Sequence, residues 1–348
     1  MKPAPHGWLI LDKPRGLGST QAVGAVKRNL REGGYQKVKV GHGGTLDPLA
    51  EGVLPIALGE ATKLAGRMLD ASKVYEFTVR FGEETGTLDT EGEVVERSDV
   101  RPSQDMLGEV LGRFTGPIEQ VPPAYSAVKI DGKRAYDRAR AGEVVEIKTR
   151  KVTVYSLDIA LPLAGEDGET WSPRDLAQPG EGESTSVPSP TPTSAQARKS
   201  SYPLPQGERV QSITLRANVS KGTYIRSLAR DIAHALGTVG HVTYLRRVKA
   251  GPFAEEQAIS LDKLNNIGKG APIENLLLPL EAGLDDIPVL PLDPDSAQAV
   301  RQGRVLSDLP QSKGLHLAKL GDTPVALMEL EAGTAKVVRG FNLPDVAE

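Results

Sequence analysis

Hydrophobic and polar positions follow two rhythms along the chain, and each rhythm names an element. Trp8-Leu9-Ile10-Leu11 is a short apolar run between Gly7 and Lys13-Pro14, which suits a buried strand leading into a turn. Ser19 is placed to cap a helix whose apolar stripe is Val23, Val26 and Leu30. Tyr75, Phe77, Val79 and Phe81 alternate with Glu76, Thr78 and Arg80, predicting a strand with one buried face. Ile213, Leu215, Ala217 and Val219 repeat that pattern. A turn at Lys221-Gly222 then leads to a helix carrying Ile225, Leu228, Ala229, Ile232 and Leu236, and a further strand runs from Val242 to Val248.

These elements intermix without the regular alternation of a doubly wound sheet, and several strands keep one polar face. The class they predict is α+β, with a mixed, largely antiparallel central sheet flanked by helices. Residues 163–206 are rich in Pro, Gly, Ser and Thr, and are expected to be a disordered insertion. Both flanks, at 151–160 and 210–220, read as strands, so the insertion takes the place of a hairpin loop. A Pro-containing connector after Gly283 precedes apolar runs at 315–320 and 325–330, which divides the chain into 1–283 and a small β module at 284–348. No internal repeat is evident.

Charge alters this picture locally. The 348 residues carry a net charge of −3, so no overall basic excess points to nucleic acid. Residues 161–208 hold seven acids against three bases, however, which leaves the rest slightly basic, and its bases cluster. Residues 129–151 hold eight bases against four acids, with Tyr125 and Tyr136 nearby; residues 221–249 hold six against Asp231 alone. Such stretches are either a solvated charged face or a phosphate-contacting surface with an aromatic platform. The absence of cysteine excludes disulfides, thiolate metal sites, iron–sulfur clusters and a cysteine nucleophile. The five histidines form no metal-ligand pair, and no G-x-S-x-G elbow is present. The first residues lack a signal-peptide pattern, and no apolar run approaches the roughly 18 residues of a membrane span, so a cytoplasmic location is expected.

Two segments carry candidate chemistry. Gly41-His-Gly-Gly-Thr-Leu-Asp-Pro48 is glycine-rich, but it fits neither the P-loop nor the dinucleotide fingerprint. It leaves His42 and Asp47 in a tight loop, with Pro48 biasing Asp47 away from helical geometry. Asp47 is then either a turn former or a reactive carboxylate. In Ser220-Lys-Gly-Thr-Tyr-Ile-Arg226, Tyr224 and Arg226 enter a helix just after a strand. Arg226 is either a surface residue or the partner that keeps a carboxylate ionised and oriented. Tyr75 is most simply a core residue of its strand.

Joined in order, the motifs resemble the TruB family of tRNA pseudouridine synthases. They are Leu11-Asp-Lys-Pro14, Gly41-His42 with Thr45-Leu-Asp-Pro-Leu-Ala50, Gly59-Glu-Ala-Thr-Lys63, Lys73-Val-Tyr75, Pro122-Pro-Ala-Tyr-Ser-Ala127, Ser220 to Arg226, and Tyr244-Leu-Arg-Arg247. The resemblance implies isomerisation of the T-loop uridine of tRNA, position 55, to pseudouridine without metal or cofactor. It implies catalytic roles for Asp47, Tyr75 and Arg226, with Tyr224 and Leu245 in the pocket and His42 filling the space a flipped base vacates. Lys13 is expected to give structural support. The basic loop at 129–146, with Arg134 and Tyr136, resembles the family's tRNA-gripping thumb, which the related guide-RNA-dependent, dyskerin-type synthases lack. The tail resembles a PUA-type RNA-binding module.

Three further expectations follow from the same resemblance. The partner is the T-stem-loop of tRNA, without an obligate protein partner or a membrane. The chain acts as a monomer. Gly43 stands where the family commonly has Thr or a β-branched residue, which is expected to loosen the loop carrying His42. An RNA-binding protein without chemistry is the competing class, and it needs neither Asp47 nor Arg226.

Overall fold

The computed structural model describes residues 1–126, 129–130, 133–135, 138, 147–160 and 209–343. The insertion at 163–206 and most of the 129–146 loop lie outside them. The first half of the chain runs β1 (Gly7–Lys13), α1 (Ser19–Glu32), β2 (Val40–His42), β3 (Glu51–Leu58), α2 (Ala65–Asp70) and β4 (Lys73–Phe81). A ribbon of β5 (Glu83–Thr85) and β6 (Val94–Arg97), then α3 (Gln104–Arg113), β7 (Gly116–Gln120) and a small pair, β8 (Lys129–Ile130) with β9 (Lys133–Arg134), follow. The second half continues through β10 (Arg150–Ile159), β11 (Ser212–Val219), α4 (Ile225–Ala235), β12 (Gly240–Ala250), β13 (Phe253–Ala254) and α5 (Leu261–Gly268).

The central sheet has the order β1-β3-β12-β4-β11-β10-β7, with β2 on β3 and β13 on β12. Every pairing is antiparallel except β3 with β12, where Glu51 and Gly52 lie beside Arg246 and Arg247. Gly52, at φ +98°, makes that contact possible, since a Cβ there would sit 2.3 Å from the Arg247 carbonyl oxygen. One edge of β3 is thus shared: its start pairs with β12 and its end, Ile56 to Leu58, with β2. The loop joining β2 to β3 sits in this fork. Strands β10 and β11 pair directly, so the chain between them leaves and re-enters the sheet at one hairpin end, as the flanks predicted.

The apolar run at β1 is buried on both faces. Leu9 and Leu11 join the core under α1, α4 and α5, whereas Trp8 and Ile10 join a second core on the other side. That second core includes Val53, Met68 and Phe253, and it also receives Leu317, Leu327 and Phe341 from the end of the chain. There β14 (Val289–Leu292), β15 (Gly314–Leu320), β16 (Thr323–Glu331) and β17 (Thr334–Gly340) form a separate four-stranded sheet with its own small core. This module contains a helix, α6 (Pro294–Arg301), where only short strands were expected. Its start signal is an ordinary one: the Asp293 side chain accepts from the Ser296 amide at 2.7 Å, with Pro294 in the first turn.

Candidate active site

The loop from Gly43 to Ala50 is held by its own main chain. The Gly43 amide donates to the Pro55 carbonyl at 2.8 Å. Arg247, buried in the fork, donates to the carbonyls of Gly44, Thr45 and Val53 at 3.1, 3.3 and 2.8 Å. Ser19 does not cap α1, as its position suggested. Gly18 is the N-cap residue, and the Ser19 hydroxyl instead bonds both the amide and the carbonyl of Leu46, each at 2.8 Å. Lys13, fully buried, donates to Leu17, Pro14 and Pro48 carbonyls, and desolvation pushes its pKa down to about 8. The expected supporting role of Lys13 is therefore exerted on the residue next to Asp47.

Gly43, expected to loosen this loop, sits where the loop packs on α2. A Cβ there would lie 2.6 Å from Met68 Cβ and 3.1 Å from Met68 Cγ, so its absence lets the loop close onto α2.

Asp47 is the turn former that one of its sequence readings predicts. Its carbonyl closes a turn by accepting from the Ala50 amide at 3.1 Å, and its carboxylate faces the cleft, with the side chain 43% exposed. Arg226, at the start of α4 and 6% exposed, donates to Asp47 Oδ2 at 2.7 Å. The same guanidinium donates to the carbonyls of Thr87 and Tyr125 at 2.9 and 3.0 Å and pairs with Asp89 at 3.1 Å. Charged hydrogen bonds of this kind fix the orientation of the carboxylate.

Asp89 was not anticipated, and neither was Gln120. Asp89 is 2% exposed and accepts from the Thr87 hydroxyl and the Glu91 amide. A signal was present, since Gly86-Thr-Leu-Asp89 repeats Gly44-Thr-Leu-Asp47. Gln120 clamps the start of α4, accepting from the Tyr224 amide at 2.8 Å and donating to the Tyr224 carbonyl at 3.0 Å.

A cleft of about 320 Å³ opens over Asp47, and Tyr75, Tyr224, Arg226 and Leu245 line it. Tyr75 is half-buried, its ring packing on the core while also forming a wall. Burial pushes the Tyr224 phenol up, which keeps its hydroxyl protonated. Lys73 also lines the cleft, and burial pushes its pKa down to about 8, while its ammonium donates to the carbonyls of Met68, Leu69 and Ala71. His42 is not among the lining residues: it lies at the end of β2, half-buried, and burial followed by Arg247 lowers its pKa, favouring the neutral imidazole. Arg134 contributes only its backbone, in β9, to the described structure; Tyr136 lies outside it.

Aspartate and arginine at the floor of a cleft wide enough for a base, on a mixed sheet, fit the class that family models assign. The N-terminal domain of TruB family pseudouridylate synthases matches residues 31–163, and the tRNA pseudouridylate synthase B C-terminal domain matches residues 226–285. The fold is that of a pseudouridine synthase. An H/ACA RNP bound to a substrate RNA containing 2′-deoxyuridine superposes with a TM-score of 0.64 at 23% identity, covering 97% of this chain and 86% of that one. A Cbf5-Nop10-Gar1 complex gives 0.63 at 25%, covering 97% and 84%.

In sequence, the tRNA pseudouridine synthase B of Novosphingobium aromaticivorans is 60% identical over 98% of this chain and 99% of its own length. That of Zymomonas mobilis is 50% identical, over 97% of each. The chain belongs to the TruB family of tRNA pseudouridine synthases.

Proposed function

We propose that the protein converts the uridine at position 55 in the T-loop of tRNA to pseudouridine, with Asp47 as the nucleophile. The observation that carries this reading is the exposed Asp47 carboxylate, bonded at 2.7 Å to the buried Arg226 at the floor of a cleft walled by Tyr75 and Leu245. The N1–C1′ bond breaks, the base rotates, and a C5–C1′ bond forms, while C5 loses its proton and N1 gains one. Neither electrons nor water enter the balance, so the chemistry calls for no cofactor.

Asp47 attacks the base or the sugar, or stabilises a cationic sugar, and Arg226 aims it. Tyr75 stacks on the flipped base and Leu245 and Tyr224 bound it. Extruding the base costs a few kcal/mol, which stacking in the pocket offsets. His42 at the neighbouring strand end fills the vacated space in the RNA. Arg134 and Tyr136 in the basic loop, and the PUA-like module at 284–348, grip the rest of the T-stem-loop. The chain works as a monomer in the cytoplasm, where its substrate is. No helix among the described residues is long and apolar enough to cross a membrane.

The test uses a tRNA transcript tritiated at uridine C5, because joining C5 to the sugar releases that hydrogen to water. About one tritium per tRNA is expected, and none from a transcript with cytidine at position 55. Binding of the wild-type tRNA without release would contradict the reading and favour an RNA-binding protein without chemistry.

A further inference from the structure

The helix α2 is fixed from three sides, and its one buried apolar side chain reaches the loop that carries Asp47. Lys73 binds the carbonyls at its end, at 2.9 Å for Met68, 2.7 Å for Leu69 and 2.6 Å for Ala71. Arg67 forms two bonds of 2.7 Å with Asp286, in the connector to the small module. Met68, 3% exposed, is embedded in the second core with Trp8, Val53 and Phe253.

One glycine makes room for that side chain. A Cβ on Gly43 would meet Met68 Cβ at 2.6 Å and Met68 Cγ at 3.1 Å. Packed interiors transmit such displacements rather than absorb them. The loop beyond Gly43 has little freedom to compensate, because Pro55, Arg247, Ser19 and Lys13 hold its main chain at Gly43, Gly44, Thr45, Leu46 and Pro48.

We propose that Met68 is a positioning residue for the isomerisation: its side chain is the stop against which Gly43 rests, and it sets the distance between Asp47 and Arg226. This rests on the assignment of Asp47 as the nucleophile. A methyl group at position 43 has to displace the loop, since the atom it meets is the first carbon of Met68 and cannot rotate away.

The experiment compares single-turnover tritium release at saturating tRNA for wild type, Gly43→Ala, Met68→Gly, Met68→Leu and the double variant Gly43→Ala/Met68→Gly, with tRNA affinity and melting temperature measured on each. Gly43→Ala is expected to slow release by about tenfold or more, with tRNA affinity within about twofold, because sub-ångström misplacement acts on the chemical step. Met68→Gly slows it as well, Met68→Leu keeps it within about threefold, and the double variant exceeds Gly43→Ala by about fivefold, the sign of a coupled pair. A merely structural role moves melting temperature without this rate recovery. Wild-type release together with unchanged release from Gly43→Ala, or a double variant as slow as the product of the two single effects, overturns the proposal. If Gly43→Ala does not fold, the contrast of Met68→Leu with Met68→Gly decides, equal rates overturning it. No release from the wild-type protein contradicts the functional reading instead.

Discussion

Two copies of Gly-Thr-Leu-Asp, at residues 44–47 and 86–89, present aspartates to the same guanidinium and leave them in opposite states. Asp89 is sealed at 2% exposure, with Thr87, the Glu91 amide and Arg226 as partners. Asp47 keeps 43% of its side chain open, and Arg226 is the only hydrogen-bond partner of its carboxylate among the described residues. Leu88 sits at φ +63° beside the inward-facing Asp89, whereas the loop at Asp47 is bonded through its carbonyls and amides and its carboxylate faces the cleft. Identical local sequence thus gives one carboxylate sealed in the fold and one open to the cleft. The surroundings decide which.

Removing the open member, the proposed nucleophile, is expected to have the largest effect. Asp47→Asn abolishes turnover while tRNA affinity and melting temperature stay near wild type, because the carboxylate is half in solvent and supports little of the fold. Arg226→Ala abolishes turnover as well, but it also strands the buried Asp89 charge, so denaturant unfolding should show a loss of about 3–5 kcal/mol. That combination separates a residue serving both carboxylates from one serving Asp47 alone.

How far the sequence led is clearest at these residues. The strand alternation at Tyr75 to Phe81 and the stripe from Ile225 to Leu236 fall where the pattern put them, because burial on one face imposes a period. Asp47, Arg226 and Tyr75 came together through motif resemblance; spacing alone left each of them with a second reading. Asp89, Gln120 and Met68 escaped because their roles arise from neighbours distant in sequence: Asp89 lies 137 residues before Arg226, and Gln120 is 104 residues from Tyr224. Ser19 carried a helix-cap signal, yet its hydroxyl was taken by Leu46, a tertiary bond that no local rule contains.

Smaller effects sharpen the contrast between the two loops. Asp89→Asn keeps a side chain of the same shape but loses one of the two charges that hold Arg226, so release should slow by about ten- to a hundredfold without vanishing. Ser19→Ala leaves the buried Leu46 amide and carbonyl without their partner, with an expected loss of about 2 kcal/mol in denaturant unfolding and a slower chemical step. Lys13 gives the smallest signal. Its native pKa of about 8 lies below the ordinary 10.5, so between those values the unfolded chain binds more protons and stability from this group rises with pH. Lys13→Met lacks that rise, so wild type should gain stability relative to the variant across the same window in unfolding measured at successive pH values.

The most direct test of the division between the two aspartates is single-turnover tritium release from C5-labelled tRNA by Asp47→Asn and Asp89→Asn, side by side, with tRNA binding confirmed for both. No release from Asp47→Asn and slow but complete release from Asp89→Asn is the predicted result. Release from Asp47→Asn at or above the rate of Asp89→Asn would contradict the assignment of Asp47 as the reacting carboxylate.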